Sequence, residues 1–335
     1  MKLKRLTRII NPQSVALVGV LFINWLLFPG FFDITWQDGR FFGSLIDVLN
    51  RGVPVAILAI GMSAVIATKG VDLSVGAVMA ISGAVAATLV VDGHPAYIAV
   101  IAALLTGVIC GVWNGILVAF LEIQPIVATL VLMVAGRGIA QLITEGTIVT
   151  FSDPVLIFIG TGSFAGFPMP VIIAAVLLLI AVFAVRSSAI GLFIEAVGVN
   201  RAAASLAGIR SELLIVAVYG FSGFCAAISG LIVAGDIKGA DANNAGLWLE
   251  LDAILAVVIG GTSLLGGRFS IAMSVLGAII IQAMNTGILV SGFPPEFNLV
   301  VKAGVIILIF TMQSPLATRI IESRRTTRTL SGKKP

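Results

Sequence analysis

Charge is what this chain has least of: Asp, Glu, Lys and Arg make 11% of its 335 residues, against roughly 25% in soluble globular domains. That excludes a soluble enzyme or binding domain for the bulk of the chain. Histidine occurs once, His94, in the turn Asp92-Gly93-His94-Pro95, and no role attaches to it. Cysteine occurs twice, Cys110 and Cys225, both inside apolar runs, so a disulfide framework is not indicated and both read as small packing residues. No H-E-x-x-H and no cysteine pair at metal spacing is present, which leaves a metalloenzyme without ligands. The Walker pattern G-x-x-x-x-G-K-[ST] is also missing. The terminal Ser331-Gly332-Lys333-Lys334 lacks both the first glycine and the magnesium-binding hydroxyl, so the chain is not expected to hydrolyse ATP. One enzyme-like string, Gly220-Phe221-Ser222-Gly223, matches the G-x-S-G of rhomboid proteases, but its base is missing because the only histidine lies upstream in a turn. Ser222, Gly223, Ala226, Ala227 and Gly230 read instead as small residues that let helices approach.

What is abundant is hydrocarbon. Hydrophobic residues make 59% of the chain and the mean hydropathy is +1.14. Measured against the roughly 20 residues a helix needs to cross the bilayer core, about ten apolar runs can be counted, near 13–32, 53–68, 73–91, 97–121, 126–143, 169–185, 213–234, 248–265, 271–289 and 298–316. The second is expected to extend upstream through Pro54 into the amphipathic segment 44–50. The first follows Lys2, Lys4, Arg5 and Arg8 without a small-x-small cleavage site and is kept as a span. Fold class is therefore all-α and polytopic. Positive charge stays on the cytoplasmic side of short loops and tails. With ten crossings and a cytoplasmic N-terminus, every one of the 20 Lys and Arg residues falls on that side except Arg40, Arg51, Lys238 and Lys302 outside and Arg137 within a span. Both termini are then cytoplasmic: a basic tail 1–12, one transmembrane domain 13–316, and a basic tail 317–335. This topology accounts for the net charge of +4 and a pI near 9.3, and no nucleic-acid partner is read from it. Segments 33–52, 144–168, 236–247 and 290–297 are expected to be exterior loops.

One cytoplasmic loop, 186–212, carries structure of its own. Asn200 suits a helix N-cap, Arg201 to Ala207 an Ala-rich short helix, and Gly208 the left-handed position after it. A helix so short needs packing partners, and Ala202, Ala203, Ala204 and Ala207 permit close approach by another protein. The loop reads as a docking surface for a soluble motor. Inside the spans, Gly107, Gly111 and Gly115 recur every four residues and predict a close helix crossing. Asn114, Arg137, Gln141, Gln282 and Asn285 would be costly facing lipid. Counted from 126, Arg137 lies 11 residues into its span, about 16 Å deep. It reads either as lining a pathway for a polyhydroxylated solute or as an interhelical clamp, with Asp252 or Glu250 as candidate partners. The connections 68–76 and 260–268 are both glycine-rich and each opens a helix, which hints at an internal repeat, while Asp72 or Ser263 can cap the helix that follows.

These strings together resemble a family. TKGVDLSVG (68–76), QPIVATLVLMVAGRG (124–138), EAVGVNRAAASLAGI (195–209) and ELDAILAVVIGGTSLLGGR (250–268) are similar to the permease subunits of ATP-binding-cassette importers for monosaccharides, the ribose and galactose class, over residues 44–311. DIKGADANNAGLWLELDA (236–253) and SGFPPE (291–296) look most like galactofuranose permeases. The resemblance implies the vitamin B12/ribose type of importer permease in a bacterial inner membrane, partnered by a cytoplasmic ATPase that holds ATP and Mg. It also implies a second permease subunit, a heterodimer being favoured, and a periplasmic sugar-binding protein. Glu195, Gly198, Asn200, Ala203 and Gly208 are the expected ATPase-coupling residues, and Asn114, Arg137, Gln141 and Asn285 the expected pathway residues. The loop lacks the E-A-A-x-x-x-G pattern of the other large permease class, so that class's contacts do not transfer. An ion-coupled secondary sugar carrier is the alternative, disfavoured because the deep spans show no evident carboxylate.

Overall fold

The computed structural model describes residues 12–304 and 307, except 38, 293, 295, 296 and 298. Its helices are α1 (Pro12–Leu27), α2 (Ser44–Ala67), α3 (Val75–Val91), α4 (Ala96–Ala119), α5 (Pro125–Ile143), α6 (Pro154–Thr161), α7 (Met169–Ser187), α8 (Ile190–Val199), α9 (Arg201–Leu206), α10 (Ser211–Ile237), α11 (Leu249–Ile259) and α12 (Ile271–Val290). Among the described residues α2, α4, α5, α7, α10 and α12 are long and apolar enough to cross a membrane. The expected upstream extension of the second span is observed, since α2 begins at Ser44 and carries Pro54 inside it. The eighth span is not a full crossing. At 11 residues, α11 is about 16 Å long, half of the roughly 30 Å hydrocarbon core. Of the expected tenth span only residues 299–304 and 307 are described, as helix, and the tails 1–11 and 317–335 lie outside the described residues.

The fold is not purely helical. Among the described residues three short antiparallel pairs occur: β1 (Thr35–Gln37) with β2 (Arg40–Phe42), β3 (Val149–Thr150) with β6 (Gly239–Ala240), and β4 (Ser163–Phe164) with β5 (Phe167–Pro168). Each falls where expected exterior segments supply Gly and aromatic residues that favour turns and strands.

Two compact units divide the chain, residues 1–286 and 287–335. In the first, α2 and α10 form the centre, their hydrophobic stretches 78% and 72% buried, while α4, α5 and α7 are only 17–28% buried and present their apolar faces outward. Close crossings explain how α10 collects so many neighbours. A Cβ at Gly107 would strike the Gly223 carbonyl, one at Gly111 the Tyr219 carbonyl, and one at Gly115 would lie 2.7 Å from the Val216 Cα, as the four-residue glycine spacing predicts. On other faces of α10, Gly230 meets the Met79 carbonyl of α3, Gly235 meets α6 at Gly160, and Ser222 Cα sits 2.8 Å from where a Cβ on Gly61 would be. With lipid on the outside there is no hydrophobic drive between helices, and contact at backbone distance supplies the dispersion energy instead. In the second unit, residues 299–304 are helical and Ser291 Oγ donates to the Gly287 carbonyl at 2.6 Å.

Segment 236–247 is only in part the solvated loop expected: Asp236, Ile237, Lys238, Asn243, Asn244 and Leu247 are exposed, and the residues between them are not. After β6 the chain turns inward: Ala242 is 2% exposed, and Gly246, at φ +72°, presses on Gly76 at the start of α3. The cause is backbone chemistry. Asp241 folds 241–244 into a turn by accepting from the N–H groups of Asn243 and Asn244 and from the Asn244 side chain. The small residues on either side of that turn then let the backbone enter the bundle.

Candidate functional site

The loop 186–212 folds as two helices seated on the bundle. The Asn200 side chain accepts from the Ala203 N–H at 3.0 Å, capping α9, and Gly208 adopts φ +89° beyond its end. Arg201 fixes the pair from beneath, donating to the Ala119 carbonyl at the end of α4 (2.7 Å) and pairing with Glu212 in the first turn of α10 (3.2 Å). The alanine face is divided. Ala204 is buried with Ile194 and Val197 in a cluster that includes Ala64, Val118, Ile215 and Tyr219, whereas Ala202, Ala203 and Ala207 are exposed. Ala204 therefore anchors the loop to its own bundle and is not available to a partner. Leu206, at 91% exposure, stands furthest out, with Leu192 and Val199 also exposed. Gly198 is buried, and a Cβ there would collide with the Ala67 carbonyl. Glu195 lines a cavity of about 300 Å3 between α7, α8 and the start of α12.

Beneath α8 lies the connection between α2 and α3, and here the structure shows a site that sequence reasoning missed. Asp72 is 1% exposed. Its Oδ1 accepts from the Ser74 N–H (3.1 Å) and hydroxyl (2.6 Å), and its Oδ2 from Ser222 of α10 (2.8 Å). Asn114, fully buried on α4, donates to Ser74 Oγ at 2.9 Å, and its own Oδ1 has no partner among the described residues. The expected cap is not formed, since Ser74 holds the N-cap position of α3 without a side-chain cap; Asp72 instead closes the turn just before it. The long-range half could not be read, because nothing in the string DLS names Ser222. That serine, read as packing only, both packs and donates. Buried Glu250 and Asp252 join Asp72 as carboxylates inside the bundle, so the expectation that the deep spans hold none is corrected, and that ground for disfavouring an ion-coupled carrier falls away.

Arg137 does act as a clamp, but not to a side chain. Its Nη1 donates to the carbonyls of Ala242 (3.0 Å) and Ala245 (2.6 Å), holding the inward-turning segment against α5, with Glu250 and Asp241 as the nearby negative charges. Gln141, one turn on, donates to the Asn243 side chain at 2.7 Å. Asn285 stands apart on α12, where it donates weakly to Gln282 at 3.4 Å and leaves a buried Oδ1 without a partner among the described residues. The four expected pathway residues thus divide: Arg137 and Gln141 share one site, Asn114 belongs to the Asp72 network, and Asn285 joins neither.

Residues 44–310 match the family described as branched-chain amino acid transport system / permease component. The chain belongs to this family. It is 59% identical over 314 residues, 94% of this chain and 92% of the other, to the galactofuranose transporter permease protein YtfT of Escherichia coli K12. Identity is 38% to the fructose import permease protein FruF of Bifidobacterium longum (93% and 89% covered) and 37% to the ribose import permease protein RbsC of Escherichia coli K12 (89% and 91%). No solved structure matches the chain. Sugar import permeases of this kind are multi-pass proteins of the inner membrane, and the six long apolar helices fit that placement.

Proposed function

We propose that this chain forms half of the transmembrane pathway of an ATP-binding-cassette importer for galactofuranose, with ATP and Mg held by a separate ATPase subunit. The exposed α8–α9 pair carries this reading: α9 is capped by Asn200, clamped by Arg201 and seated through Ala204, yet holds Leu206 at 91% exposure. A feature so firmly fixed and so apolar outward suits a protein partner in water. On this reading loop 186–212 and both termini are cytoplasmic, the chain crosses ten times with α11 completing its crossing through the inward segment before it, and Glu195, Gly198, Asn200, Ala203 and Gly208 shape the ATPase seat. Arg137 and Gln141 order the pathway wall at 241–245, while Asn114 and Asn285 present polar atoms within the bundle. The lipid-facing α4, α5 and α7 leave room for a second, different permease subunit. A periplasmic binding protein delivers the sugar. The identity to the galactofuranose permease supports the substrate.

Copurification tests the seat. Ala203→Arg places a long charge on the exposed side of α9 without touching the bundle, and is expected to abolish recovery of the ATPase while membrane insertion stays intact. Normal recovery of the ATPase with that variant would refute the seat.

A further inference from the structure

Seven residues, 68–74, join the α8–α9 side of the molecule to its interior, and nearly every one is held. At the near end the Ala67 carbonyl accepts the Gly267 N–H at 2.9 Å and abuts Gly198 of α8. Lys69 reaches out to donate its Nζ to the carbonyl of Val199, the last residue of α8, at 3.0 Å, and does so from a left-handed backbone (φ 64°) that a non-glycine residue seldom adopts. Further in, Gly70 lies so close under Tyr219 that a Cβ would be 2.5 Å from its hydroxyl. The Val71 carbonyl accepts from Tyr219 of α10 (3.4 Å) and Thr129 of α5 (3.3 Å). At the far end stands Asp72 with its three donors, one of them Ser222, 11 residues (211 to 222) into α10 and so about 16 Å along it.

We propose that the connection 68–74 is the element that carries displacement of the α8–α9 pair into the bundle, with Lys69 as its grip on the pair and Asp72 as its grip on α10. The proposal rests on the reading of α8–α9 as the ATPase seat. Its physical basis is the cost of slack. An exposed connection absorbs a displacement by bending, whereas this one ends in a buried carboxylate that forms no ion pair among the described residues and depends on three hydrogen bonds. Withdrawing any donor leaves that buried carboxyl short of a partner, so the connection and α10 move together. The path continues. Ser74 leads directly into α3, and Gly76 touches Gly246 and lies, at its Cβ position, 2.6 Å from Glu250 Oε2. A shift at α8 therefore arrives at the segment that Arg137 clamps. Lys69 and Asp72 are positioning residues, touching no substrate.

The test is the number of sugar molecules moved per ATP hydrolysed, measured in liposomes with the assembled complex, its binding protein and labelled galactofuranose. Ser222→Ala removes one donor at nearly constant volume, and Lys69→Gln shortens an exposed side chain that cannot unfold the bundle. Both variants are expected to retain the ATPase and its hydrolysis, to lose stimulation by loaded binding protein, and to move roughly tenfold less sugar per ATP, within the range typical of coupling between sites. Lys69→Arg, which keeps a charged donor at full reach where Gln offers only a shorter neutral amide, should recover most of the ratio. A wild-type ratio in assembled Lys69→Gln overturns the proposal, and that variant decides alone if Ser222→Ala does not assemble. Ala203→Arg separates the two ideas: if the seat is wrong it keeps its ATPase, and if only the relay is wrong it loses the ATPase while the other variants keep the wild-type ratio.

Discussion

Two connections lead chain into the bundle, and they are held by opposite charges. The first, 68–74, is fixed by a carboxylate that gathers donors from its own turn and from α10. The second, 241–248, is fixed by a guanidinium on α5 that donates to its carbonyls. Each delivers a helix that starts inside, α3 and α11, and the two meet at Gly76 and Gly246. Chain that does not form helix inside a membrane protein must satisfy its polar groups from within the protein. The difference shows two ways of doing so. In the first the connection itself supplies the side chain that ties it to α10, and in the second α5 supplies the side chain that ties the connection's carbonyls. Their surroundings also differ, because the first connection touches the α8–α9 pair while the second is continuous with the β3–β6 ribbon at the other end of α10.

The comparison breaks most completely at Asp72. Asp72→Ala would leave the Ser74 N–H and hydroxyl and the Ser222 hydroxyl without their acceptor, and should cost about 3–5 kcal/mol, given the price of orphaned buried groups. Thermal unfolding of the detergent-solubilised protein would read it as a large fall in Tm, and an unchanged Tm would mean the network does not bear on stability. Arg137→Met comes next. Two carbonyls lose a charge-assisted donor, a loss of about 2–3 kcal/mol, and Arg137→Lys should recover part of it because a single ammonium can still reach one carbonyl. Equal Tm values for the Met and Lys variants would show that the clamp is steric. Gln141→Leu should be the mildest, below about 1 kcal/mol for an exposed hydrogen bond, with the complex assembled and galactofuranose flux reduced. Unchanged flux in that variant removes Gln141 from the pathway wall.

How much of this was legible in the sequence depended on how local the signal was. The short helix α9, its Asn200 cap and the turn at Gly208 follow from neighbours within a few residues, and they appear as expected. A close crossing on α4 also follows, because a four-residue glycine repeat has one geometric meaning on a helix, although the repeat does not name α10 as the partner. Length misled at α11: the apolar run 248–265 is long enough for a span, but Trp248 begins the helix and Gly260 and Gly261 end it, leaving 11 residues. Polarity was half a guide at 236–247, where Asn243 and Asn244 are exposed as their chemistry suggests while Ala242 and Gly246 turn into the bundle. Arg137 was recognised as needing a carboxylate, carbonyls or water; it takes carbonyls, and which ones no sequence pattern marks, because every residue carries one. Asp72 was seen as a cap, and its bond to Ser222, 150 positions away, belongs to packing alone.

The most direct measurement of the central claim is ATP hydrolysis by the complex in liposomes, with binding protein loaded in turn with galactofuranose, galactose, fructose and ribose. Stimulation by galactofuranose, lost in Ala203→Arg, is the predicted result. Sugar uptake by this chain without any ATPase, driven by an ion gradient, would contradict the account and turn the buried carboxylates Asp72, Glu250 and Asp252 into candidates for the coupled ion.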